Sequence, residues 1–342
     1  MKGWKTGVLY AVLGLGVVVT AGISATVGWR PIVGPRVRPL TDRHFEPTPA
    51  RLERGRYLAT TGGVPCMLCH SGMEGTPEGL VIPDETRFAG RNWAPDGIPF
   101  LTAPNLTPDP ETGIGTWSDD ALARGIREGI SHDGRALFPL MPYGKFRHMT
   151  DEDLASIIVY LRSLKPVRRA LPKTELPFPV NRLINAEPQP VAGPVTADLS
   201  TPEKRGEYLV TIAACAECHT PMDDRGGRLP GMDFAGGFKL EYTGIPTVFS
   251  ANITPGVNGI PYYTEELFIQ TLRTGRVRER KLSGMMPTNY YRHMTDEDLE
   301  SIFAYLKTIK PVDHFVDNSL PPSKCARCGQ EHGGGSRNTA QS

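Results

Sequence analysis

The residues with the most chemistry in this chain are Cys66-Met67-Leu68-Cys69-His70 and Cys215-Ala216-Glu217-Cys218-His219. Each is a C-x-x-C-H run, the signature of covalent c-type haem attachment. The spacing has a physical reason. On the last turn of a helix, positions i and i+3 share a face, so both thiols reach the two vinyl groups of one porphyrin. The histidine follows directly and is carried under the ring as the proximal iron ligand. A bare C-x-x-C serves equally as a redox dithiol or as half a zinc site, and either tolerates any next residue. Two copies, both completed by His and both in matching surroundings, point instead to two covalently attached haems. Cys66, Cys69, Cys215 and Cys218 are then the thioether donors, and His70 and His219 bind iron.

Each iron also needs a distal partner, and softness favours Met or His arriving on a loop well after the motif. Three candidates occur twice: Met141 and Met286, His148 and His293, Met149 and Met294. Met141 and Met286 precede proline, which sets a stiff extended turn suited to presenting a sulfur. Met149 and Met294 sit before a helix-capping Thr, where an apolar staple is expected. His148 and His293, beside the same cap, read as surface or propionate contacts. The choice is therefore Met141 and Met286; Met285 is set aside because Pro142 aligns its partner to Met286. His44 and His132 have no repeated counterpart and read as solvent-facing. Met/His ligation raises the reduction potential relative to bis-His, and a six-coordinate iron has no vacancy for substrate. Both points favour an electron carrier over an enzyme.

The elements that must position these groups are short. A chain of 342 residues with 32 Pro, 37 Gly and 39% hydrophobic residues suits short helices joined by long loops, in two domains with extensions. A formal net charge of +1 gives no electrostatic case for nucleic acid. The first 29 residues carry an uncharged run, Thr6 to Trp29, long enough to span a bilayer. A cleaved signal peptide is the competing reading, with Val19-Thr20-Ala21 a weak cleavage site. Lys2 and Lys5 favour a cytoplasmic N-terminus, although Arg30, Arg36 and Arg38 blur the charge asymmetry. Either reading exports the body, as covalent haem attachment requires. The expected localisation is the bacterial inner membrane, single-pass, with the body facing the periplasm.

Residues 30–48 read as a tether, 49–168 as a first haem domain and 169–198 as a Pro-rich linker. Residues 199–315 read as a second haem domain and 316–342 as a tail. Helices are predicted over Arg51 to Leu58, from an N-cap at Ser118, and from a cap at Thr150 to a stop before Pro166. Within the linker, Leu176-Pro177-Phe178-Pro179 and Leu183-Ile184 are too apolar for a free segment and are expected to lie on a domain surface. The repeat is the main organisational fact. Arg205-Gly206-Glu207-Tyr208-Leu209 answers Arg54-Gly55-Arg56-Tyr57-Leu58, Phe234-Ala235-Gly236 answers Phe88-Ala89-Gly90, and residues 292–299 match 147–154 one for one.

Asn105 to Gly115, Trp117-Ser118-Asp119, Asp133-Gly134-Arg135, Pro139-Leu140-Met141-Pro142-Tyr143 and Thr150 to Leu154 carry a family resemblance. Over about residues 50–168 and 199–313 the chain resembles the cytochrome c subunits of membrane-bound alcohol and gluconate dehydrogenases. It is also similar to anchored bacterial di-haem cytochromes c. The resemblance implies a mainly α fold: two tandem cytochrome c domains, short helices and long loops around covalent haem, behind an N-terminal transmembrane helix. It implies Met141 and Met286 as distal ligands and places the Asn105 and Asn252 segments around the haem. Those subunits generally carry three haem domains, whereas this chain has two.

The tail holds Cys325-Ala326-Arg327-Cys328-Gly329-Gln330-Glu331-His332. A third haem would lack its adjacent histidine, and a zinc site would want four ligands where only three are local. A Cys325–Cys328 disulfide is the plain expectation in an oxidising compartment, and the glycine-rich end beyond reads as disordered. The functional expectation is single-electron transfer between redox proteins, a membrane dehydrogenase or oxidase among them. The alternatives, a di-haem peroxidase or other haem oxidoreductase and a gas sensor, each need one open iron.

Overall fold

The structure, a computed structural model, describes residues 2–61, 63–76, 79–94, 98–224 and 226–339. Helices dominate it: α1 (Lys2–Ala25), α2 (Arg30–Val33), α3 (Pro49–Thr61), α4 (Cys66–Cys69), α5 (Asp119–Glu128), α6 (Tyr143–Phe146) and α7 (Asp151–Ser163). They continue as α8 (Val180–Leu183), α9 (Pro202–Ile212), α10 (Cys215–His219), α11 (Glu265–Thr274), α12 (Thr288–Tyr291) and α13 (Asp296–Thr308). The strands among the described residues form only two-stranded antiparallel ladders. The predicted caps are made as expected. Ser118 Oγ accepts from Ala121 N at 3.1 Å, Thr150 Oγ1 from Asp153 N at 3.1 Å, and Thr295 Oγ1 from Asp298 N at 3.2 Å.

The chain gathers into two compact units. One comprises Met1–Arg43, Ser118–Arg147 and Glu175–Ala192. Within it, Gly7–Ala25 of α1 is 19 residues long, apolar enough to cross a membrane, and unburied. Next to it α2 packs on α8. Of the apolar linker residues, Ile184 is buried as expected, but Phe178 is 82% exposed and Leu183 is exposed too.

The tether is held by charge. The Arg38 guanidinium forks onto Asp120, with Nη1–Oδ2 at 2.6 Å and Nη2–Oδ1 at 2.8 Å, and its Nε reaches Glu128 Oε1 at 2.7 Å. Thr41 N also donates to Asp120 Oδ2 at 2.8 Å. Burial opposes ionisation of Asp120, but Arg38 and the Thr41 amide outweigh it and hold the carboxyl below its usual range. A carboxyl with a depressed folded pKa stabilises above its unfolded value and loses that contribution as pH falls through the folded one. Arg38→Met is therefore expected to cost about 3 kcal/mol, since it takes the guanidinium from two buried carboxylates and leaves Asp120 only the Thr41 amide and Arg43 Nε at 3.9 Å. It should make residues 30–43 cleavable at neutral pH. The parent should show the same cleavage only below about pH 3.9. Proteolysis mapped by mass spectrometry across that range checks both, and an uncleaved Arg38→Met tether at pH 7 would refute the ion-pair account.

The other unit comprises His44–Trp117, His148–Thr174 and Gly193–Ser342. Its core is two helix pairs, α3 on α7 and α9 on α13, each built from the same repeated sequence. Met149 and Met294 are buried at 0% and 3% exposure beside the caps of α7 and α13, as apolar staples should be. The tail departs from expectation. Cys325 and Cys328 are free thiols rather than a disulfide. The glycine-rich end is folded: β9 (Pro322–Lys324) pairs with β10 (Glu331–Gly333), and a 3-10 turn spans Gly335–Asn338. The reason is buried polar pairing, since Asn338 Nδ2 donates to His332 O at 2.7 Å and to Ser323 O at 3.1 Å. Residues 340–342 lie outside the described residues.

Candidate haem-binding sites

Each C-x-x-C-H motif forms a single helical turn, α4 capped by His70 and α10 ending at His219. The two histidines are oriented alike. His70 Nδ1–H donates to Pro104 O at 2.9 Å, and His219 Nδ1–H donates to Ala251 O at 2.8 Å. A carbonyl only accepts, so the proton sits on Nδ1 and the lone pair on Nε2, which is the tautomer a metal ion takes up. Burial of the rings holds both histidines below the usual imidazole range, so they are neutral. Burial also pushes the Cys66 and Cys215 thiols up to about 12 and Cys69 up to about 11. A redox dithiol works by a lowered thiol pKa. Raised thiols do not suit that chemistry, whereas the histidine geometry fits a haem iron.

The acceptor carbonyls are fixed by the asparagines whose segments the family resemblance places around the haem. Asn105 follows Pro104, and Asn252 follows Ala251. Both asparagines turn to the backbone: Asn105 Nδ2 donates to Val167 O at 2.7 Å and Asn252 Nδ2 to Val312 O at 2.9 Å. Their Oδ1 atoms accept from Thr107 N and Thr254 N, each at 2.9 Å. The loop bearing each acceptor is thereby latched to the chain leaving α7 or α13.

A second pair of residues is not evident from the sequence. Ser71 Oγ accepts from Phe88 N at 2.9 Å and Thr220 Oγ1 from Phe234 N at 3.1 Å, with Ser71 and Thr220 fully buried. They hold Phe88 and Phe234 at φ 59° and 61°, a left-handed conformation costly for a bulky residue. The next turn closes on the motif: Gly90 N donates to His70 O at 2.8 Å and Gly236 N to His219 O at 2.7 Å. The available signal was a hydroxyl residue directly after each C-x-x-C-H.

Met141 and Met286 occupy identical turns. Met141 N donates to Phe138 O at 3.1 Å and Met286 N to Ser283 O at 3.0 Å; the residue after each proline returns a 2.7 Å bond to the methionine carbonyl. Both methionines are half-buried, Met141 in the first unit and Met286 in the second, whereas His44, His132, His148 and His293 are exposed. Within the second unit the two motifs are neighbours. Cys69 and Cys218 lie within electrostatic range of one another, and burial, then the nearby Cys215, Cys218 and Cys69, raises the Tyr291 phenol.

No protein-family model matches the chain. It is 34% identical over 281 residues to a nicotinate dehydrogenase subunit of Pseudomonas putida, covering 78% of this chain and 21% of that protein. It is 29% identical over 270 residues to a diheme cytochrome c-type protein of Cereibacter sphaeroides, covering 76% and 86%. The fructose dehydrogenase cytochrome subunit of Gluconobacter japonicus is 29% identical over 290 residues, covering 77% and 54%. The chain thus spans about a fifth of the first relative and about half of the last. With the paired histidine geometry and these relatives together, the chain is a homologue of the c-type cytochromes that serve as subunits of alcohol, fructose and gluconate dehydrogenases and of the dihaem cytochromes c.

Proposed function

We propose that this chain is a membrane-anchored, periplasmic dihaem c-type cytochrome that passes single electrons from a dehydrogenase to a further redox acceptor. The observation that carries the reading is the duplicated Nδ1–carbonyl bond of His70 and His219, which presents two Nε2 lone pairs from two matching C-x-x-C-H turns. Residues 49–168 and 199–315 are then tandem cytochrome c domains. Cys66 and Cys69 hold one haem and Cys215 and Cys218 the other. His70 and His219 would bind the irons through Nε2, and Met141 and Met286 would supply the second ligands.

Bound haem supplies the one-electron iron couple. The protein's own part is to fix its ligands before and after the electron moves. Pro104 and Ala251 hold the histidine tautomer, and the Met-Pro turns hold the sulfurs, so little rearranges with redox state. The nearness of the two motifs suits an electron path between the haems. The exposed, apolar Gly7–Ala25 helix supports the anchor reading, as do exposed Ile32, Val33, Leu183 and Phe178 in the same unit. A dehydrogenase as electron donor is supported by the relatives that are dehydrogenase cytochrome subunits.

The test is a carbon monoxide difference spectrum of the reduced, purified chain with haem counted on the same sample. Two haems and no carbon monoxide binding are expected. Met141→Leu should open one iron, giving about one bound carbon monoxide per chain, and should lower that haem's potential because the thioether is lost. Substoichiometric binding by the parent chain would mean one iron is naturally open, and a peroxidase-type enzyme would then replace the electron carrier.

A further inference from the structure

Beyond the haem motifs, the structure assembles a second set of metal-binding side chains. His314, Cys325, Cys328 and His332 are all buried, and their ligand atoms all lie within 4.8 Å of one another. Cys325 and Cys328 lie in the loop between β9 and β10, where Gly329 N donates to Cys325 O at 2.9 Å and Cys325 N to Gln330 O at 2.8 Å. His332 lies on β10, paired with Ser323 across the ladder. The fourth member, His314, is brought from the chain that leaves α13.

The imidazoles give the strongest argument. His314 Nδ1–H donates to Ala235 O at 2.8 Å, and His332 Nδ1–H donates to Gly333 O at 3.0 Å. Both rings therefore carry their proton on Nδ1. Their two Nε2 atoms, each with a lone pair, face one another at 2.9 Å in a buried site. Two lone pairs at that distance repel unless a cation lies between them, and two sulfurs complete the surround. A tetrahedral zinc ion with bonds of about 2.3 Å to sulfur and 2.0–2.1 Å to nitrogen needs ligand–ligand edges of about 3.3–3.8 Å. The histidine pair at 2.9 Å must open by about 0.4 Å to reach that range, and any ligand pair near the 4.8 Å outer limit must close by about 1 Å as the ion draws the four groups in. Two thiolates and two neutral imidazoles also leave Zn²⁺ with no net charge, which suits burial.

The surroundings are built for such a group. Ala235 and Val312 pack with Cys325 and Cys328 in one buried apolar cluster. Gly237, at φ 86°, stands where the first repeat has Arg91; a Cβ there would lie 2.8 Å from His314 Cε1. The second repeat has thus given up a side chain at the position that the two histidines occupy.

We propose that His314, Cys325, Cys328 and His332 bind one structural zinc ion that clasps residues 314–338 to the loop carrying Ala235 and Gly236. Four protein ligands leave no open position, so the site is structural rather than catalytic. Binding releases the two thiol protons to solvent, Zn²⁺ replacing them on sulfur. Because Gly236 N donates to His219 O, the clasp braces the segment that positions the second haem's proximal histidine.

The full chain, purified from membranes of zinc-replete cells, should contain one zinc in addition to its haem iron. Its zinc-edge X-ray absorption should fit two sulfurs at about 2.3 Å and two nitrogens at about 2.0 Å. His314→Ala and Cys325→Ser should each lower zinc more than about tenfold while the haem count stays the same. Should either variant fail to fold, the parent's absorption spectrum and thiol mapping still decide. A shell of nitrogen and oxygen alone, a Cys325–Cys328 disulfide in the parent, another metal at that stoichiometry, or a haem-bearing Cys325 peptide would each overturn the proposal.

Discussion

Gly55→Ala and Gly206→Ala are each expected to lower the melting temperature by roughly 10 °C and to deplete the folded, haem-loaded protein. The side chain added at Gly55 would place its Cβ 1.9 Å from Ser156 O, and the one at Gly206 would lie 1.9 Å from Ser301 O. Both obstacles are backbone carbonyls within α7 and α13, so no side chain can swing aside. One helix of the pair must move away from the other, and that opens the core formed by Leu58, Leu154 and Ile157 or its repeat counterpart Leu209, Leu299 and Ile302. Overpacking costs about 1–3 kcal/mol in forgiving cores and more in rigid ones. At about 3–4 kcal/mol and 2–4 °C per kcal/mol for a body of this size, the shift follows. Gly125→Ala is the control. It lies inside α5, where a Cβ would meet only Ile130 O at 3.6 Å, an ordinary contact. There the gain in helix propensity, about 0.5–1 kcal/mol, should prevail. The same substitution thus has opposite signs at two helical glycines. Thermal melts followed by far-UV circular dichroism check this, and a Gly55→Ala melt within about 2 °C of the parent would refute the close-approach argument.

What the sequence made legible is what depends on near neighbours. Ser118, Thr150 and the acidic first turns announce their helices because a cap bonds three residues ahead. The haem motifs are legible for the same reason, since i and i+3 thiols with an adjacent His need no tertiary knowledge. Met149 and Met294 were readable as staples from their place before a cap. The features that were not legible are pairings across long separations. His314 lies 18 residues from His332 and outside any local metal-ligand spacing, so the tail showed three ligands and an apparent disulfide. Its signal was a break in the repeat: after the matched Lys-Pro-Val ends the two copies diverge from Arg168 and Asp313 onward, with His314 standing where the first has Arg169. Arg38 likewise looked like one more tether charge, because its partners Asp120 and Glu128 lie over 80 residues on. Phe178 shows the converse failure. Its apolarity suggested burial, and the fold leaves it exposed.

Asp153→Ala is expected to destabilise the protein by about 2–3 kcal/mol, with Asp298→Ala matching it, because each aspartate ties the two repeats together. Arg54 grips Asp153 through Nε at 2.8 Å and Nη2 at 2.9 Å, and Tyr208 of the other repeat donates its hydroxyl to Asp153 Oδ2 at 2.6 Å. The mirror set is Arg205 to Asp298 at 2.8 Å through Nε and 2.6 Å through Nη2, with Tyr57 donating to Asp298 Oδ2 at 2.5 Å. Each tyrosine oxygen then accepts from the capping threonine's amide, Thr150 N at 3.2 Å and Thr295 N at 3.1 Å. The two halves exchange the same contact, so losing one aspartate takes the acceptor from a phenol on the other repeat and frees Arg54 on its own, whereas Arg205 keeps Glu297 at 3.0 Å. Arg54 is about a third exposed, which keeps the cost below that of a fully buried pair. Tyr208→Phe should cost about 1–2 kcal/mol in the parent and less than about 1 kcal/mol after Asp153→Ala, when only the bond from Thr150 N remains to be lost. Titration gives an independent check. Burial, then the bond to Asp298, pushes Tyr57 up to about 12, and burial with the nearby Asp153 raises Tyr208 as well. A raised folded pKa stabilises fully below the unfolded phenol value of about 10 and fades as pH climbs beyond it. Urea unfolding should therefore show stability falling between about pH 10 and 12 in the parent, and falling less in the Tyr57→Phe, Tyr208→Phe double variant. Equal slopes in the two proteins would mean that the paired phenols do not join the repeats.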